Sequence, residues 1–198
     1  MVFKNAGYAL VGAFEAMSNE QIKRQFDTNV FGVMNVTRAI LPYFRQKNGG
    51  TIINTTSMGG LLTFPLYSVY HSTKWALEGF MESLQFELKQ FNIKVKNVEP
   101  GAIKKDFYDR SLDFVTKKGL TAYDKYVNTA HPNMLKEGEK ADGPLVVAKK
   151  VFAAAIDSSS KLRYPVGGNG PLLLFLRWIL PLSLFNAIVR SQIEKGFK

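Results

Sequence analysis

The sequence predicts an α/β protein built on a parallel sheet, and three observations carry that expectation. Two long helical stretches, over about 18–45 and 70–90, alternate with short strand-like runs at 51–56 and 93–98. The run Thr51-Ile52-Ile53-Asn54-Thr55-Thr56 is β-branched and uncharged, which suits a strand buried on both faces. Strand, helix, strand, helix, strand at these lengths is the pattern of βαβ units.

Each element has a local cause. Val2-Phe3 running into Asn5-Ala6-Gly7 reads as the tail of a strand and a turn. Ser18 with Gln21 three residues later forms a capping box that opens the first helix. Ile22, Phe26, Val30, Val33 and Met34 then keep helical spacing. Lys47-Asn48-Gly49-Gly50 stops the helix. In the second helix Trp75, Leu77, Phe80, Met81, Leu84 and Leu88 make a broad apolar stripe. The strand at 93–98 ends at Pro100-Gly101. Beyond it, 102–145 mixes Phe107, Tyr108, Phe114, Tyr123 and Tyr126 with charges, and is expected to form short helices that cover a site. A helix over 146–156 and a strand over 162–166 follow. The region 171–195 is an apolar C-terminal helix region, interrupted by Arg177 and Pro181. No repeat or linker divides the chain, so residues 1–198 read as one domain.

Composition narrows the function. The chain is 46% hydrophobic, which excludes a disordered or low-complexity protein. It has no cysteine, so disulfide scaffolds, cysteine zinc sites and thiol nucleophiles are excluded. Two histidines, His71 and His131, leave little material for a metal centre, and none is expected. The net charge of +10 is spread over lysine pairs such as Lys104-Lys105 and Lys149-Lys150, without the long block of a nucleic-acid tail. No apolar run reaches the roughly 18–20 residues of a membrane span, and membrane contact at the C-terminal region is a secondary reading. The N-terminus has no signal-peptide core, so a cytoplasmic protein is expected.

The residues with chemical potential cluster around Tyr70 and Lys74. Four apart on a helix, they face the same way. Tyr43 and Lys47 repeat the spacing, so spacing alone proves little. Company separates the two pairs: Ser57 precedes Tyr70 by thirteen residues, at the end of the buried strand, where Val30 holds that place relative to Tyr43. Asn5-Ala6-Gly7, Asn29, Thr56-Ser57, Tyr70-His71-Ser72-Thr73-Lys74 and Pro100-Gly101 together resemble the short-chain dehydrogenase/reductase family, in its order and at its spacing. The resemblance covers nearly the whole chain and is strongest over 5–106, with a weaker leaning to hydroxysteroid- and retinol-dehydrogenase-like members.

The resemblance implies a Rossmann-like doubly wound parallel sheet and NAD or NADP as cofactor. It implies that Tyr70 is the general acid/base, that Lys74 lowers its pKa and holds the nicotinamide ribose, and that Ser57 bonds the substrate oxygen. A free tyrosine titrates near 10, and bringing it about three units lower needs about 4 kcal/mol. One ammonium at ~4 Å offers that order at an effective dielectric of ~20. Asn29 would hold a water linked to Lys74. Asn5, Ala6 and Gly7 would pass the adenine side of the cofactor, and Pro100, Gly101 and Ile103 would approach the nicotinamide. Phe64, Pro65, Leu66 and Tyr67 are candidates for a substrate wall, and His71, pointing away from its neighbour Tyr70, reads as structural. The expected substrate is a small lipophilic alcohol or carbonyl compound, and the family's habit implies a homo-oligomer through the two long helices.

Against the family pattern, the sequence lacks the glycine-rich turn that holds the pyrophosphate. Gly168-Asn169-Gly170 does not replace it, having no third glycine and too little chain after it. By resemblance the chain starts near the fourth strand of a domain of about 250 residues, an N-terminally truncated fold expected to bind cofactor poorly alone. Lys4 stands where an asparagine is frequent, and Lys105 where a threonine is. The leading expectation is an NAD(P)-dependent alcohol–carbonyl oxidoreductase. The alternative is a catalytically incompetent relative that acts as an interaction partner.

Overall fold

The computed structural model describes residues 1–104, 110–139 and 141–197. Its main sheet holds four parallel strands: β1 (Val2–Lys4), β3 (Gly50–Thr55), β4 (Ile93–Pro100) and β6 (Arg163–Val166), side by side in that order. The register pairs Ile52 with Val95 and Ile53 with Lys96. Alternation along each strand then decides which face a residue serves.

One face is covered by α2 (Gly32–Gln46) and α3 (Ser68–Leu88). Val33 and Phe44 from α2, and Leu77, Met81 and Leu84 from α3, close over Ile52, Ile93 and Val95. The opposite face takes α5 (Leu145–Ile156), whose Val147, Val151 and Ala154 pack on Ile53, Val98, Tyr164 and Val166. The strands are therefore apolar on both sides, as the uncharged run at 51–56 required.

The first long helix starts as expected. The Ser18 hydroxyl accepts from the Gln21 amide at 3.2 Å, and the Gln21 side chain accepts from the Ser18 amide at 2.9 Å. It runs through α1 (Asn19–Phe26) into α2 without a break, but widens over Asp27–Phe31. There the Gly32 amide bonds the carbonyl of Asp27, five residues back, and the extra residue per turn turns Asn29 and Val30 inward. The spacing of apolar residues does not reveal this wide turn.

A small second sheet was not expected. β2 (Ala9–Val11) pairs in parallel with β5 (Leu112–Phe114). Four residues between Gly7 and Gly12 are too few to show a strand period, and the pairing partner lies a hundred residues away. Gln25, fully buried on α1, holds this segment: its side chain accepts from the Leu10 amide at 2.5 Å and donates to the Tyr8 carbonyl at 2.8 Å.

The expectation of short helices over 102–145 holds only in part. Among its described residues the segment has a three-residue helical turn at Thr121–Tyr123, but also β5 and a sixteen-residue helix, α4 (Asp124–Glu139), with Pro132 inside it. Packing of Ala130, Tyr126 and Met134 against the C-terminal helices outweighs the local cost of the proline. Phe107, Tyr108 and Lys105 lie outside the described residues. The apolar end forms two helices, α6 (Gly170–Ile179) and α7 (Leu182–Ile193), broken at Leu180-Pro181. No helix among the described residues is long and apolar enough to cross a membrane.

A polar layer lies between β4 and α3. Glu78 accepts from Asn97 at 3.0 Å and from Arg163 Nε at 3.3 Å, while Arg163 also pairs with Glu82 at 2.6 Å. Glu99, buried beside them, has an oxygen 3.3 Å from Arg163 Nε. Burial and the neighbouring Glu78 push the Glu99 carboxyl up to about 8, against the pull of Arg163. Lys4 is buried as well. Its ammonium donates to Thr37 Oγ1, and desolvation pushes its pKa down to about 8.

Candidate active site

The C-terminal ends of parallel strands leave their last carbonyls and the following loops facing one side of the sheet, where ligands bind in open α/β folds. Here the ends of β1, β3, β4 and β6 open into a cleft of about 1160 Å³. Ser57, Tyr70 and Lys74 all line it. Two separate pieces of sequence bring them together: the loop after β3 carries Ser57, and the first two turns of α3 carry Tyr70 and Lys74.

Lys74 is 6% exposed. Its ammonium donates to the carbonyl of Thr55 at 3.2 Å and lies 5.7 Å from the centre of the Tyr70 ring. Desolvation pushes its pKa down to about 8, opposed by Glu78 one helical turn further on. The cation thus lies beside the tyrosine in a site sheltered from water, where a charge acts more strongly than in bulk solvent. The Ser57 hydroxyl accepts from the Gly59 amide at 3.0 Å and reaches the Pro100 carbonyl at 3.5 Å, which fixes its rotamer at the mouth of the loop.

Asn29 lies beneath the cleft rather than in its wall. Its side chain accepts from the Tyr8 amide at 3.2 Å and donates to the Tyr8 carbonyl at 2.9 Å and to Thr73 Oγ1 at 3.1 Å. Both amide protons are therefore engaged, and the side chain clamps the 7–8 segment onto α3. Gly7 fits closely there: a Cβ would stand 3.2 Å from Asn29 Oδ1, a tight contact with the clamp, and 3.8 Å from Lys74 Nζ. Asn5 lines the cleft and accepts from the Thr55 hydroxyl at 2.7 Å, whereas the exposed Ala6 is not in its wall.

On the other side stand Pro100, Gly101 and Ile103. A Cβ on Gly101 would come 2.5 Å from the Gly167 carbonyl, so only glycine lets the end of β4 lie against the turn after β6. Of the candidate substrate wall, Phe64 and Tyr67 line the cleft, while Leu66 packs behind against the Tyr67–Tyr70 cluster with φ of 68°.

His71 is structural, as expected. Nδ1 donates to the Gly59 carbonyl at 2.8 Å, and Nε2 accepts from the Phe64 amide at 2.9 Å. Burial pushes its pKa down to about 4, so it is a neutral ring stapling the loop between Ser57 and Tyr70. Gln25 and the C-terminal helices were missed as site-builders. The four-residue spacing of Gln25 and Asn29 on one helix was the available signal for the first. The remaining wall comes from Leu173 of α6 and Ile188, Val189 and Ile193 of α7.

The described residues fit the nicotinamide end of a dinucleotide: glycines allow close backbone approach at Gly7 and Gly101, and Lys74 offers a cation on the cleft wall. The comparison with known proteins agrees. The family model described as short chain dehydrogenase matches residues 1–113, and the chain belongs to that family. It is an oxidoreductase on that ground. YusZ of Bacillus subtilis, named an uncharacterized oxidoreductase, is 38% identical over 196 residues, covering 98% of this chain and 70% of its own. The 3-ketodihydrosphingosine reductase of Bacteroides thetaiotaomicron is 36% identical over 130 residues, 65% of this chain and 48% of its own. A short-chain dehydrogenase from Streptomyces avermitilis superposes with a TM-score of 0.76 at 30% identity, over 99% of this chain and 70% of its own. More distant solved structures carry NADP or NADH, and at 22% and 20% identity they share the fold alone.

Proposed function

We propose that the protein interconverts a lipophilic alcohol and its ketone or aldehyde with NAD or NADP as hydride partner. The observation that carries this reading is the convergence of Ser57, Tyr70 and Lys74 on one wall of the cleft, with the Lys74 ammonium beside the Tyr70 ring. Tyr70 takes the hydroxyl proton of the alcohol during oxidation and returns it to the carbonyl oxygen during reduction. Ser57 donates to the same oxygen and stabilises its developing charge. Lys74 favours the phenolate of Tyr70 and bonds the ribose hydroxyls of the bound nucleotide. Nicotinamide, when bound beside Gly101 and Ile103, gives or takes the hydride. Asn29 acts on this arrangement from beneath, its side chain holding the Tyr8 backbone and Thr73 on α3 and so the segment beside Lys74.

The apolar wall of Phe64, Tyr67, Met134, Leu173 and Val189 favours a bulky apolar substrate. The relative named for a long-chain sphingoid ketone supports the same class. The exposed Phe31, Val36 and Tyr43 near and on α2, with Trp75 and Phe86 on α3, supply a surface for pairing with a second copy. The test is Tyr70→Phe, with nucleotide binding and oxidation of a panel of long-chain alcohols both measured. Turnover should fall by about three orders of magnitude or more, with nucleotide binding little changed. Turnover at the wild-type rate would refute the assignment of Tyr70.

A further inference from the structure

A second apolar surface lies outside the cleft, on the C-terminal helices. α6 and α7 turn Leu173, Ile188 and Val189 inward to the cleft. On the outside Leu172, Phe175, Trp178, Ile179 and Leu182 stand exposed, Trp178 at 81%. Leu172, Phe175, Trp178 and Ile179, spaced three, three and one, share one face of α6, and Leu182 opens α7 just past the break at Leu180-Pro181. The Phe175 and Trp178 rings lie 6.3 Å apart at the head of this ridge. Contiguous exposed aromatics and leucines of this kind mark an interaction surface rather than ordinary scatter.

Charge says what covers it. α6 and α7 carry Arg177 and Arg190 as their charged side chains and no aspartate or glutamate, Glu194 standing just past α7 on the Tyr126 hydroxyl. Arg177 lies over the Phe185 ring at 6.0 Å, so its guanidinium is held at the junction of the two helices. Pairing the same face of two copies would cover Arg177 and Arg190 with helices that carry no carboxylate to meet them, which disfavours a self-complementary contact. An anionic lipid surface offers both what the ridge needs and what the arginines need. Tryptophan at a helix's outer face, with its ring apolar and its N–H wet, belongs at the headgroup level.

We propose that the α6–α7 face docks the protein peripherally on an anionic membrane, both helices lying in the interfacial plane with the Leu172–Leu182 ridge in the acyl boundary. The helices are too short to span, and an apolar stripe flanked by arginines is the pattern of an interfacial element. The same two helices wall the apolar end of the cleft, so docking brings that end beside the phase in which lipophilic compounds dissolve. The docking stands on the surface alone and does not depend on the chemistry of the cleft.

The experiment uses the full chain with Trp75→Phe, which leaves Trp178 as the sole tryptophan. Vesicles of phosphatidylcholine with about 30% phosphatidylserine should shift Trp178 emission to the blue, make it quenchable by brominated acyl chains and carry the protein into the pellet. Binding to pure phosphatidylcholine should be at least about tenfold weaker. Phe175→Ser with Trp178→Ser should cut sedimentation about tenfold or more while the circular-dichroism melt stays in place. Arg177→Gln with Arg190→Gln should remove the preference for the anionic lipid, each arginine being worth about fivefold. Three results would overturn the proposal: no binding to the anionic vesicles, binding unmoved by the Phe175/Trp178 pair, or a lipid-free dimer that this pair dissolves.

Discussion

Replacing Glu99 by glutamine should change how stability depends on pH. Glu99 is 1% exposed, flanked by Glu78 and faced by the single guanidinium of Arg163, and its carboxyl is pushed up to about 8. In the unfolded chain it titrates at its ordinary 4.5. Between those values the unfolded chain has released the proton and the folded chain still holds it. Fewer protons are bound on unfolding, so stability falls as pH rises through this window. At about 1.4 kcal/mol per pH unit, ionising Glu99 in place costs up to about 5 kcal/mol by pH 9. Glutamine has the same shape and no proton to lose. Urea unfolding of both proteins at intervals from pH 5 to 9 gives a difference curve from which the titrating groups away from Glu99 cancel. The two should lie within about 1 kcal/mol at pH 5, with the variant then gaining about 3–5 kcal/mol over wild type by pH 9. Parallel curves would refute the account, because they would mean that Arg163 already holds Glu99 ionised at pH 5.

Three further outcomes follow from other buried groups. His71→Phe removes the bonds to Gly59 and Phe64 and should cost about 2–4 kcal/mol at pH 7 by denaturant melts. The same variant should flatten the acid limb, where wild type loses about 3 kcal/mol as pH falls from 6.5 towards 4 and the buried ring must take a proton. Lys4→Met removes a buried ammonium and leaves the Thr37 hydroxyl on the Val33 carbonyl at 2.7 Å. It should stabilise the protein by about 1–3 kcal/mol below pH 8, the gain fading as pH approaches 10.5, because wild type recovers stability when folded Lys4 sheds its proton first. Gly101→Ala drives a methyl to within 2.5 Å of the Gly167 carbonyl. Thermal melts should show a loss of about 1–3 kcal/mol, and titration with NADH and NADPH, followed by nucleotide fluorescence, should show weaker binding than wild type for whichever nucleotide is taken.

The candidate trio was legible because its parts obey local rules and stand in the order of a family motif, which set Tyr70 and Lys74 apart from Tyr43 and Lys47. Tyr70 and Lys74 share a helix face by spacing, and Ser57 follows a strand whose uncharged β-branched composition announces burial on both sides. Ser18 and Gln21 form in the structure the capping box their spacing predicted. The long helices, the buried strands and the parallel sheet were set by hydrophobic period, which the chain carries in every window of a dozen residues. What the sequence determined by itself was therefore the order of the main-sheet strands and the long helices, and the residues that could react.

Tertiary structure decided the rest, and for one reason: each such feature depends on groups far apart in the chain. β2 exists because Leu112–Phe114 pairs with it and Gln25 fills its open backbone bonds. Asn29 faces inward because the helix widens by a residue at Asp27–Phe31, bringing its amide to Tyr8 and Thr73. α4 survives Pro132 because the C-terminal helices bury its other face. The raised carboxyl of Glu99 and the lowered ammonium of Lys4 come from burial, and no spacing of residues encodes how much water a folded core excludes.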